Sequence, residues 1–300
     1  MKTLTSVFSI LFVTSLAQAA PCTTAPLTTY LNGGSFFSCT ENAGQLNVEF
    51  NHPELLGAPL PSYVGLSLLG SNNLAADPAA ISVIPGSPGL AFHSAGFTND
   101  TGLLGLLSSQ AELVHFLLDA GTNSITSSTL SLDNVQLSAG LLNAGAALAI
   151  GQEILCVGGT FTSLPTGIVT GVIGAGAFGC NGAVVSGTAF DSVGALNLIT
   201  SVLGLPDVTG LDDTAILQLG PVNNHVVDVI KLQALVAVGV NASASDAGFG
   251  NTYTLTSGTT AGTPEPGSWM LMLAAGVLLM GNKYFGKLVG IGRKSASVRG

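Results

Sequence analysis

Three stretches of this chain bring chemically capable side chains close together in sequence. GAGAFG, Gly174 to Gly179, comes directly after the apolar GIVTGVI and has the literal G-x-G-x-x-G spacing of a dinucleotide-binding turn. That turn works only when a helix comes next to receive the pyrophosphate, with an acid about 20 residues on. The next residues here are CNGAVVSGTAF, a strand-like run opened by Cys180, and Asp191 comes seventeen residues after Gly174 with no βαβ unit between. In a chain with 40 glycines the match is expected to be chance. The second stretch, NVEFNHPELLG, gathers Glu49, His52 and Glu54, the residue types of an acid–base cluster or a metal corner. On a strand Glu49 points away from His52, and Pro53 breaks the ladder, so a solvated turn is expected. The third, LPDVTGLDDT, puts Asp207, Asp212 and Asp213 within seven residues, oxygen-rich as calcium loops are. Their order fits no EF-hand, and turn or capping roles are the expectation.

His93, His115 and His225 are scattered, and each is expected to be a satisfied core or surface histidine. There is no His-Glu-x-x-His and no Gly-x-Ser-x-Gly elbow. The only tryptophan, Trp269, lies outside the body, leaving Tyr30, Tyr63 and Tyr253 as its amphipathic rings and little platform for sugar. No catalytic residue, cofactor or metal site is therefore assigned.

Charge narrows the function classes further. Charged residues are 8% of the chain, against roughly 25% in ordinary soluble domains. Of the seven Lys and Arg, Lys2 lies in the leader and Lys283, Lys287, Arg293, Lys294 and Arg299 lie near the end, leaving Lys231 alone in the body. Fifteen of the sixteen acids lie in that same body. Phosphate backbones are held by Lys and Arg, so nucleic-acid binding is excluded.

The first nineteen residues, MKTLTSVFSILFVTSLAQA, combine Lys2, an apolar stretch from Val7 to Leu16 and Ala17-Gln18-Ala19, the layout of a secretory signal cleaved after Ala19. Near the other end, Pro264-Glu265-Pro266 precedes an uncharged apolar run from Gly267 to Gly281, and lysines and arginines come after it. The run is short of the roughly 20 residues that span a bilayer. If Lys283 and Lys287 snorkel, a helix over about 267–292 reaches across, with Trp269 at the outer boundary. The positive-inside rule then puts the basic tail in the cytoplasm and the acidic body outside.

This tripartite end resembles the PEP-CTERM sorting signal of exported bacterial proteins. The likeness covers about a tenth of the chain. It implies that Pro264, Glu265 and Pro266 are recognised by an exosortase-type membrane enzyme, and that the body is associated with exopolysaccharide or biofilm. The basic residues here are spread over Lys283 to Lys294 rather than forming a tight arginine cluster. EILCVGGTF, with Cys180 downstream, is also similar to a pattern in β-rich ectodomains of such proteins.

Residues 20–255 are expected to form a mainly β, β-sandwich-like ectodomain with one or two short helices, joined by a linker at 256–263 to the sorting signal at 264–300. LNVEF from Leu46 and TYTLT from Thr252 alternate with period two. TLSLDNVQLS suits a hairpin turning at Asp133-Asn134. VVDVIKLQALVAVGV puts Ile230, Leu232, Ala234, Val236, Val238 and Val240 on one face with Lys231 and Gln233 opposite, as one strand or a bent pair. Leu103–Leu118 and Val193–Leu203 also fit helical spacing. Cys22, Cys39, Cys156 and Cys180 are expected as two disulfides in an oxidising compartment. Of three connectivities, Cys22–Cys39 with Cys156–Cys180 is the expected one.

The leading expectation is a non-enzymatic structural or adhesive protein. The alternatives are a secreted polysaccharide-active hydrolase using a carboxylate pair, or a calcium-dependent binding module.

Overall fold

Neighbouring segments of alternating apolar and polar residues pair into antiparallel sheets throughout the body. The computed structural model describes residues 19–52, 60–69, 77–86, 88–94, 97–102, 107–141, 144–163, 179–194, 214–220 and 224–257. The leader to residue 18, Glu54, most of the GAGAFG hexapeptide, Asp207, Asp212, Asp213, and the sorting motif with its apolar run and basic tail lie outside the described residues.

The elements begin with β1 (Ala25–Pro26), α1 (Leu27–Leu31), β2 (Phe37–Glu41), β3 (Leu46–Phe50), β4 (Tyr63–Leu69) and β5 (Ile81–Pro85). Next come β6 (Leu90–Ser94), β7 (Thr98–Asp100), β8 (Leu107–Asp119), β9 (Ser124–Asp133), β10 (Gln136–Ser138) and β11 (Ala146–Val157). The described strands end with β12 (Phe161–Ser163), β13 (Gly179–Cys180), β14 (Ala183–Gly194), β15 (Thr214–Gln218), β16 (Val226–Val238), β17 (Ser243–Ser245) and β18 (Gly248–Thr256).

Two sheets dominate. One runs β14-β11-β16-β8-β3-β2, with β4 also pairing to β8, and the other runs β1-β5-β6-β18-β9-β15. A three-stranded sheet, β10-β17-β7, and the pair β12-β13 complete the set. One buried cluster draws side chains from both large sheets, among them Phe50, Phe116 and Leu235 from the first and Phe92, Leu130 and Phe249 from the second. A second buried cluster, with Ile150, Ile154, Ile230 and Leu232, lies on the other face of the seven-stranded sheet.

Burial on both faces explains where periodicity misled. Leu107–Asp119 is strand β8 rather than the helix its three-and-four spacing allowed, because it pairs with β16 along its full length and with β3 and β4 on its other edge. When both faces are apolar, helix and strand templates fit equally and only the pairing partner decides. Val226–Val238 is one continuous strand, paired throughout to β8 and over Val227–Val238 to β11. Val193 and Gly194 end β14, and the rest of that second helical candidate lies outside the described residues.

Asp133-Asn134 does turn the chain, with Asn134 at φ 52°, but no hairpin forms. β9 joins the six-stranded sheet and β10 pairs with β17, so the turn transfers the chain between sheets. β9 also changes phase, burying Ile125 and then Ser128, Leu130 and Leu132. The change falls at a register shift opposite Thr254 and Leu255, where one extra residue flips the side-chain parity.

The small helix α1 buries Leu27 and Tyr30 and ends at Asn32, whose φ of 43° is left-handed. Both disulfides have the sequence-local pairing, Cys22–Cys39 and Cys156–Cys180. The second ties β13 to the end of β11, holding the β12-β13 pair beside the outer cluster.

Candidate functional site

The space between the two large sheets holds a buried set of ionisable and polar side chains, Lys231, Glu153, Glu41, Glu112 and Asn251. In β16 the inward positions run Val227, Val229, Lys231, Gln233 and Leu235, so the strand's own alternation carries the body's one lysine into the core. Lys231 is fully buried, and Glu153 of β11 stands directly opposite it in the ladder. Its ammonium nitrogen lies over three rings, 5.2 Å from the centroid of Phe92, 5.7 Å from Phe116 and 5.5 Å from Phe249. Its hydrogen bond to the Leu90 carbonyl is 3.5 Å long. Such ring faces attract a cation but replace little of its hydration, so the charged form is poorly served.

Glu153 is the opposite case, well supplied with donors. Ser128 Oγ donates to its Oε2 at 2.7 Å, Tyr253 OH donates to Oε1 at 3.3 Å, and the Asn251 amide nitrogen donates to Oε1 as well. Asn251 Nδ2 also donates to Ser128 Oγ at 2.9 Å, while Asn251 Oδ1 is buried without a hydrogen-bond partner among the described residues. Glu41 comes in from β2, accepting the Gly89 N–H on Oε2 at 2.8 Å. Burial drives the titrations of all three charged groups toward neutrality. It lowers Lys231 to about 7 against the pull of Glu153 and Glu41, raises Glu41 to about 7, and raises Glu153.

Two strand positions along, a second polar group runs outward. Gln233 of β16 stands opposite Glu112 of β8, and its Nε2 donates to Asp246 Oδ2 at 2.5 Å. Asp246 also accepts the Gly248 N–H at 3.0 Å, and forms part of the wall of a cleft of about 190 Å³ with Thr98, Gln136 and Ser245. Neither Glu112 carboxyl oxygen has a hydrogen-bond partner among the described residues. Burial pushes Glu112 up to about 8, with the Asp246 carboxylate adding to it, and pushes Asp246 to about 6.

These raised carboxyls set the pH response. The folded state binds their protons more tightly than the unfolded chain, so their contribution is complete below about pH 4 and is lost as pH rises through about 6 and then 8. Melting temperature is therefore expected to fall between pH 5 and pH 8, and Glu112→Gln should flatten that fall. At pH 8 the variant should melt roughly 5 °C higher, corresponding to about 2 kcal/mol in a body of this size. Parallel pH profiles for the two proteins, measured by circular dichroism, would overturn the assignment.

The residues singled out by spacing are placed differently. Glu49 and His52 do meet, with Oε2 and Nε2 3.6 Å apart, because Asn51 at φ 50° folds the chain back at the end of β3. The expectation that they point apart was wrong for that reason, since strand alternation stops at Phe50. The pair sits at a partly exposed edge, and Glu54 lies outside the described residues. His93 Nε2 is 3.4 Å from Asp133, and His225 Nδ1 is 2.5 Å from the Asn123 carbonyl oxygen. His115 Nε2 lies 2.8 Å from Asp228 Oδ1, and Asp228 Oδ2 accepts the Phe161 N–H at 2.8 Å, all buried on the outer face of the seven-stranded sheet. Among the described residues His115 Nδ1 has no hydrogen-bond partner, and none of them completes a triad there. After Gly179 the chain enters β13 and β14 rather than a helix, and Asp191 is paired across to Ala149 in mid-strand. A pyrophosphate turn needs the helix, so that motif is a coincidence of composition.

Sequence spacing did not single out Glu153, Asn251, Glu112 or Asp246. The one signal was Lys231 itself, a lone cation inside a largely apolar strand. Among the described residues no group of three or more His, Cys, Asp or Glu is arranged to hold a metal ion. No family model matches this chain, and no curated protein matches it either.

Proposed function

We propose that the chain is an exported structural or adhesive protein, sorted through Pro264-Glu265-Pro266 to the cell envelope or onward into an exopolysaccharide matrix. The observation that carries this reading is the pair of addresses at its two ends, a secretory leader with Ala17-Gln18-Ala19 and a Pro-Glu-Pro, apolar, basic tail. The body between them is non-enzymatic and β-sandwich-like, and a helix over about 267–292 holds it at the membrane until the tail is removed. Its partner in sorting is an exosortase-type membrane enzyme.

Three features of the body support the reading. Both disulfides suit an oxidising compartment. The antiparallel sheets share one buried cluster, a common build for a rigid outward-facing module. The carboxylates that a polysaccharide hydrolase would need to set across a cleft are, for Glu41, Glu112 and Glu153, enclosed between sheets.

Fractionation of cells tests the sorting step. The intact chain is expected in the envelope or medium with its tail removed. The triple variant Pro264→Ala, Glu265→Ala, Pro266→Ala is expected to stay in the membrane at full C-terminal length. Equal distribution and equal tail length for the two chains would overturn the proposal.

A further inference from the structure

We propose that Lys231 and Asn251 are joined by an intramolecular isopeptide bond, formed with Glu153 as proton carrier, that ties the seven-stranded sheet covalently to the six-stranded one. Lys231 projects from β16 of one sheet and Asn251 from β18 of the other. Glu153 bridges them, facing Lys231 across the β11-β16 ladder and accepting a hydrogen bond from the Asn251 amide nitrogen. The ammonium's hydrogen bond to Leu90 O points to the same place, since β6 and β18 pair at Ala91, the residue after Leu90, and Gly250, the residue before Asn251.

The chemistry requires an uncharged amine, an accessible carboxamide carbon and a group to move protons. A lysine desolvated in an apolar pocket is a nucleophile at ordinary pH, and here three phenylalanine rings supply the pocket. Burial displaces the titrations of Lys231 and Glu153 toward each other, which favours a neutral amine facing a neutral acid. Nζ leaves the Leu90 carbonyl and attacks Cγ of Asn251. Glu153 takes a proton from Nζ and delivers one to Nδ2, with which it is already in contact. The Cγ–Nδ2 bond breaks, ammonia departs, and the Nζ–Cγ amide remains. Nothing is oxidised or reduced and no co-reactant is needed. The surrounding rings keep out the water that would otherwise take the amine's place and convert Asn251 to aspartate.

Because Asn251 Oδ1 is buried without a hydrogen-bond partner among the described residues, the carboxamide is held by them through its nitrogen, the atom that leaves. Ser128 and Tyr253 fix Glu153 from the β9 and β18 side, as positioning residues. The inference is independent of how the chain is sorted. A body so tied resists mechanical separation of its sheets, a property that suits a structural protein and that disulfides at Cys22–Cys39 and Cys156–Cys180 do not provide, since neither spans the two large sheets.

The composition of the chain supplies an unusually simple test. Lys231 is the only trypsin site between Lys2 and Lys283. The full-length chain, folded with both disulfides formed, is reduced, denatured, weighed intact and digested. Its mass is expected to be lower than the sequence mass, after allowance for terminal processing, by one ammonia, and trypsin is expected to leave the body uncut at Lys231. The isosteric Glu153→Gln, checked for both disulfides, is expected at full mass and cut at Lys231. Wild-type protein at full mass and cut at Lys231 overturns the proposal. Loss of water in place of ammonia would also overturn it, because the partner would then be a carboxylic acid. So would ammonia loss with Lys231 still cleaved, which would mark cyclisation of an asparagine.

Discussion

Asp228→Ala is expected to destabilise the body by about 3–5 kcal/mol in equilibrium urea unfolding with the disulfides intact. The side chain is 3% exposed and serves two partners at once, His115 Nε2 and the Phe161 N–H. Its loss removes the acceptor that two buried polar groups share, each loss costing about 1–3 kcal/mol, and opens a cavity beneath Phe161. The consequence extends beyond the pair. Phe161 opens β12, which lies next to β13 and the Cys156–Cys180 bond, so the β12-β13 pair loses one of its attachments to the sheet it covers and keeps the disulfide. Asp228→Asn, which keeps one acceptor, should lose less than half as much. An Asp228→Ala protein with an unchanged urea midpoint would mean that water replaces the carboxylate, and that the buried pair is not a structural tie.

The second large effect is expected at Phe116. Its ring is 5.6 Å from Phe50 in its own sheet and 5.9 Å from Phe92 in the facing one, in a line that continues to Tyr30 on one side and Phe249 on the other. Phe116→Ala removes the contact where that line crosses between sheets, and should cost about 3–5 kcal/mol through lost burial and an unfilled cavity. It also opens space beside the Lys231 amine, and water admitted there favours the ammonium. Isopeptide formation in this variant is accordingly expected to be slower, as read by the fraction of chains cut by trypsin at Lys231. A destabilisation below about 1 kcal/mol, short of the usual cost of a buried aromatic, would show that the neighbouring rings collapse into the gap and that no single aromatic holds the sheets together.

How much of this was legible beforehand depends on the range of the interaction. LNVEF and TYTLT were readable as strands because period-two alternation is local, and so was the pairing of cysteines that lie 17 and 24 residues apart. Leu103–Leu118 was ambiguous because a strand buried on both faces carries no alternation to read. The Asp133-Asn134 turn was visible, whereas the destination of the strand after it was not, since β10 selects β17, more than a hundred residues away. For Glu49 and His52, a single left-handed asparagine between them reversed the geometry that strand spacing implied.

The sequence alone determined where charge lies along this chain: basic groups near its ends, acids through its body, and one lysine among apolar residues. It determined as well which segments were able to alternate, because side-chain parity on a strand is set by backbone geometry. Only the tertiary structure decided which groups that lysine meets. Glu153, Asn251 and Glu41 lie 78 residues before it, 20 after it and 190 before it, and no local pattern links them. They converge because two sheets close over one interior, and in that buried space the acid takes the amide as a hydrogen-bond partner while the amine lies over three rings and bonds the Leu90 carbonyl.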